Sequence, residues 1–169
     1  MRRLLDGLYG LAAWAAALCM IGTLVMILLS VGGRLLGFHV RGTDAYAGYF
    51  MAAAAFLALA HTLKRGEHIR VTLVMDHAGR RGRHALDLWS HLAGTGLAAV
   101  LAWFSARLVW QSWTFNDISQ GTDATPLWIP QVAMAVGASV LAVAMVDDLA
   151  GLLSGRRLRA AKEEPVRSE

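Results

Sequence analysis

Lys64-Arg65-Gly66-Glu67-His68-Ile69-Arg70-Val71-Thr72-Leu73 is a polar block set between two pairs of long apolar runs. A segment this charged cannot enter hydrocarbon at low cost, so it lies at a membrane surface and fixes where the flanking runs begin and end. Composition agrees. Of 169 residues, 56% are hydrophobic and 17% charged, and the mean hydropathy is +0.47. A soluble chain of this size is not so apolar unless long segments are buried in lipid. The net charge of +4 taken alone suits nucleic acid, but the basic residues gather in short patches between apolar runs. That distribution fits anionic headgroups and excludes nucleic acid as a partner. Cys19, the single cysteine, stands in an apolar run and reads as a small core residue.

Before the block lies an alanine-rich run over about residues 45–63, with Ala52 to Ala55, Ala58 and Ala60 keeping its surface narrow. Small residues let helix backbones approach closely in lipid, so this helix is expected to pack against protein on more than one side. Thr43 or Asp44 can cap it, and Tyr46, Tyr49 and Phe50 read as an interface anchor at its outer end. Upstream, the run of about residues 7–31 is too long for the apolar part of a signal peptide and reads as the first span. Gly32-Gly33 releases it into a short connection ending near Arg41.

Within and after the block, Val71, Val74, Met75 and Ala78 follow a helical period, while His68 to Leu73 alternates. Residues 67–78 are read as a short amphipathic helix lying in the interface, with an extended loop as the other reading. A third apolar run covers about 84–113, long enough to tilt or to project beyond the bilayer. Trp89 and Trp110 or Trp113 mark its two interfaces, and Gly94 and Gly96 with Ala93, Ala98 and Ala99 form a close-approach face. A connection without Lys or Arg leads to the fourth run, about 127–153, which Pro126 and Pro130 enter and Trp128 anchors. The fold class is therefore all-α integral membrane: four transmembrane helices in one domain, residues 1–155, with a short interfacial segment between the second and third. A polar tail follows at 156–169.

With four crossings, Arg2, Arg3, the central basic residues and the cluster at Arg156, Arg157, Arg159 and Lys162 all fall on one side. The opposite side holds Arg34 and Arg41 only, so both termini and the central block are cytoplasmic. The six histidines raise a haem reading, with His61 on the second span facing His84 or His91 on the third. All three lie toward span ends, where water serves a histidine equally well, and the sequence has neither a CxxCH motif nor a nucleophile paired with a base. The span centres are free of charge, and Asp44, Asp87, Arg107, Asp147 and Asp148 sit near ends, as helix-end solvation or salt bridging requires. An electron-transfer protein with bound haem and a small autonomous channel are the competing readings.

Gly66-Glu67-His68-Ile69-Arg70-Val71 resembles the G-x-H-I-R-V signature that follows the second span in the small membrane subunit of tripartite ATP-independent periplasmic (TRAP) transporters. Pro126-Leu127-Trp128-Ile129-Pro130-Gln131 is similar to the entry to that family's last span, and Gly137 follows where the family often has glycine. The resemblance implies a non-enzymatic scaffold subunit of the bacterial inner membrane, without catalytic residues, metal or cofactor. It would support a large multi-span permease subunit that carries substrate and sodium, fed by a periplasmic solute-binding protein, for organic acids such as dicarboxylates. Gly66, His68, Arg70, Asp44, Pro126, Trp128 and Pro130 then become the candidate contacts to the partner or to membrane lipids. Many members carry an acidic pair at the start of the second span; here Asp44 stands alone.

Overall fold

The computed structural model describes residues 2–38, 40–64, 80–121 and 123–154. Four helices account for nearly all of them: α1 Arg2–Leu36, α2 Thr43–Lys64, α3 Arg80–Thr114 and α4 Trp128–Leu153. Each contains a stretch long and apolar enough to cross a membrane, and the chain is a multi-pass membrane protein. The interfacial segment at 67–78 and the tail at 156–169 lie outside the described residues.

α1 and α3 stop where the backbone turns left-handed. α1 runs straight through Gly32 and Gly33 and ends at Gly37, whose φ is +76°. Phe38 then donates its N–H to the Gly33 carbonyl at 3.0 Å, the closing bond of a Schellman motif. Gly33 is needed for contact rather than release, because a Cβ there would meet the Phe38 carbonyl oxygen at 2.7 Å. α3 ends in the same way at Asn116, φ 52°, with Asp117 N–H bonding the Ser112 carbonyl at 3.0 Å. Neither Thr43 nor Asp44 caps α2. Gly42, φ +82°, supplies the first helical carbonyl to Tyr46, and the Thr43 hydroxyl donates backward to Val40. Pro126 precedes α4 in an isolated bridge with Ile118, and Pro130 falls in the first turn, where no N–H is required.

Lateral packing follows the order α1, α2, α4, α3, with α1 only grazing α4. α2 therefore has protein on two sides, as its alanines predict. α2 and α4 run parallel and approach to backbone contact: a Cβ on Gly137 would lie 2.5 Å from the Phe56 carbonyl carbon. Ala60, Ala138 and Ala144 are fully buried. α3 rests on α4 through one narrow stripe, His91, Ala98, Ser105 and Ser112, spaced by seven residues. Of the expected close-approach face only Gly94 and Ala98 are used; Ala93, Gly96 and Ala99 point outward, since a single neighbour needs a single stripe. The flanks left open are large and apolar, as Trp14 on α1 (73% exposed) and Trp103 on α3 (70%) illustrate.

Candidate functional site

Polar side chains gather at the two ends of the helices. Where α2 finishes, Lys64 Nζ pairs with Asp147 and lies 3.5 Å from Asp148 Oδ1, both on α4. The same ammonium stands 5.2 Å from the centroid of the Tyr9 ring on α1, a cation–π distance. One lysine thus joins three helices. Tyr9 itself is buried among Ala12, Ala60, Val140 and Ala144. On α3, His91 Nδ1 donates to the Asp87 carbonyl at 2.8 Å, and the Asp87 carboxylate is 3.8 Å from the same nitrogen. Gly94 and Thr95 touch Met145 on the antiparallel α4. His91 lies one turn before Thr95 and Asp148 about one turn after Met145, so the polar residues of α3 fall toward the same end of the helices as Lys64.

At the opposite end the α3–α4 connection folds down onto α2. Ser119 N–H bonds the Thr125 carbonyl at 2.8 Å and Leu127 N–H the Asp117 carbonyl at 2.9 Å, closing a hairpin-like turn. Asp123 hangs from its tip and accepts from Ser119 Oγ at 2.9 Å and from the Tyr49 hydroxyl at 3.1 Å. The Thr125 hydroxyl donates to Tyr46 at 3.0 Å. Asp123 also explains Gly42, because a Cβ there would meet the Asp123 Cβ at 2.9 Å. Thr125 first, then Ser119, the residue's own N–H and Tyr49 together lower the Asp123 pKa from 3.8 to about 2, against the opposing effect of burial. Tyr46 and Tyr49, expected as an interface anchor, are here fastened to a loop of the same chain.

Of the residues singled out in the sequence, Gly66, His68 and Arg70 lie outside the described residues. Asp44 is exposed and bridges to α1, accepting from Ser30 at 2.9 Å and pairing with Arg34 at 3.5 Å. Trp128 meets Trp113 edge to face at 4.9 Å, which joins the start of α4 to the end of α3. Pro130 lines an apolar cavity of about 280 Å³ with Cys19, Tyr49 and Phe50, between α1, α2 and α4. The structure does not bring His61 and His91 together, because α2 and α3 share no contact among the described residues. Nor does any group of three or more potential metal ligands occur among those residues. Sequence reasoning missed the joining of Lys64 to Asp147 and Asp148; a basic last turn on one span and a carboxylate pair near the end of another are compatible with it but do not pair the two.

The geometry is therefore that of helices clasped at both ends, with charge spent on holding the chain together. A search of curated proteins returned no match. A family model, by contrast, covers residues 23–155, from the middle of α1 through the end of α4, and is described as tripartite ATP-independent periplasmic transporters, DctQ component. It spans the C-terminal part of α1, Lys64 with its two aspartates, the Asp123 turn and every other described helix, and the chain belongs to this DctQ family of transporter components.

Proposed function

We propose that the chain is the small bracing subunit of a sodium-coupled, binding-protein-dependent secondary transporter for organic acids such as dicarboxylates. It supports a large multi-span permease subunit, which holds and moves the cargo delivered by a periplasmic solute-binding protein. It performs no chemistry of its own. It sits in the bacterial inner membrane with both termini and the segment after Lys64 on the cytoplasmic side, the orientation favoured by the basic residues. One observation carries this reading: Asp44, Asp147 and Asp148 each meet a cationic partner in the same chain and Asp87 meets His91, all toward the helix ends, while the flanks between, Arg107 apart, remain apolar and open. Such a plate is suited to bracing a neighbour in lipid, and carboxylates already paired are poorly suited to relaying ions.

The decisive experiment is expression of the chain with and without a large multi-span permease subunit from the same source. Stable co-purification of the two, with sodium-driven uptake in vesicles that requires both, is the expected result. Uptake by this chain alone, or full uptake by the larger protein without it, would remove the proposal.

A further inference from the structure

Arg107 is exposed within the span of α3, and none of the described side chains pairs with it. Every other described Asp, Lys, Arg or His inside a span is paired within the chain or lies within about a turn of the span's end. Arg107 sits six residues before Trp113, which with Trp128 marks the loop end of the helices. That places its Cα about 9 Å inside that level at 1.5 Å per residue. A guanidinium cannot remain bare in hydrocarbon, and from this depth its stem can rise along the helix toward the headgroups. Gln111 stands one turn further out on the same flank.

Beside these two residues a groove of about 390 Å³ runs between α3 and α4, lined by Leu101, Phe104, Leu108 and Met134. From Leu101 to Gln111 it extends about 15 Å along the helix, half the roughly 30 Å of a bilayer's hydrocarbon. Across the same helix pair, the groove on the other flank is lined by Ala106, Val109, Val132 and Val136 and holds no charged residue. One flank thus offers an anion-binding head and an apolar trough of one leaflet's depth, and the other offers only a trough.

We propose that the Arg107 flank binds one glycerophospholipid of the leaflet on the α3–α4 loop side. The phosphate is held by Arg107 and Gln111, and an acyl chain lies along Leu108, Phe104 and Leu101 against Met134. This rests on the chain spanning a membrane and is independent of what the assembly transports.

The test is native mass spectrometry of the full chain, purified in mild detergent, counting phospholipids that stay bound. The wild type should retain one phospholipid. Arg107→Leu should lower its occupancy roughly tenfold, the scale of one charge-assisted hydrogen bond. Leu108→Trp, which fills the trough and keeps the charge, should do the same; Arg107→Lys should retain most of the lipid, and Trp14→Leu on the open flank of α1 should change nothing. A benzoylphenylalanine in place of Phe104, which keeps an aromatic ring in the trough and leaves Arg107 and Gln111 intact, should cross-link lipid in membranes, a readout of contact that does not rely on retention in detergent. The proposal is overturned if the wild type retains no lipid, if Arg107→Leu keeps it, if Trp14→Leu loses it equally, or if the cross-link goes to another protein.

Discussion

Lys64 begins the charged block in the sequence, yet its side chain folds back to α4 and leaves the block behind. With Lys64 26% and Asp147 35% exposed, the pair lies between the surface and buried regimes. Lys64→Met should therefore destabilise the fold by about 1–3 kcal/mol, between the values for exposed and buried pairs. Adding Asp147→Asn should recover part of that loss, because the stranded carboxylate is what makes the single change harmful; thermal unfolding of the two variants in detergent measures it. Asp123 carries a pH dependence of definite sign. Its folded pKa is depressed, so its contribution is complete above about 4 and is lost as pH falls toward 2. Hydrogen exchange at the Ser119 and Leu127 amides should quicken over that window in the wild type, whereas Asp123→Asn should show fast exchange already at neutral pH. Neither clasp was legible in the sequence. Tyr49 and Asp123 are 74 positions apart, and Lys64 and Asp147 are 83 apart, and no periodicity links them.

At the scale of the element, run length and hydropathy sufficed to find the four helices, because a span must satisfy its backbone internally and must be about as long as the bilayer is thick. The ends were less legible. Gly32-Gly33 looks like a release point, but a glycine ends a helix only where its φ turns positive, and that happens at Gly37. Glycines that serve contact and glycines that serve nothing look alike in one sequence, which the structure separates. Gly137 lies against the Phe56 backbone, whereas Gly48 on α2 has open space at its Cβ position. Gly137→Ala should lower stability by about 1–3 kcal/mol, the range for overpacking an unyielding contact. Gly48→Ala should be neutral or stabilising by up to about 1 kcal/mol through helix propensity. Thermal melts of both in the same detergent give the comparison; equal effects would mean that α2 and α4 do not meet at Gly137.

Counting crossings says nothing about which helix neighbours which, and the order α1, α2, α4, α3 rests on side chains that meet only after folding. The sequence did contain a trace of it: a seven-residue stripe on α3 narrow enough for one neighbour, and alanines on α2 enough for two. The arrangement matters because a closed bundle would bury its flanks, while an open row leaves α1 and α3 as two edges free to meet lipid or a partner. Disulfide cross-linking distinguishes the two. With Cys19 replaced by serine, Ala60→Cys and Ala144→Cys lie in one buried cluster between α2 and α4 and should cross-link readily under mild oxidation in membranes. Leu18→Cys on α1 with Phe104→Cys on α3, exposed on the two edge helices, should not, because α2 and α4 stand between those helices. Efficient cross-linking of the second pair would mean that the four helices close into a bundle, and the open flanks on which both the bracing role and the Arg107 site depend would cease to exist.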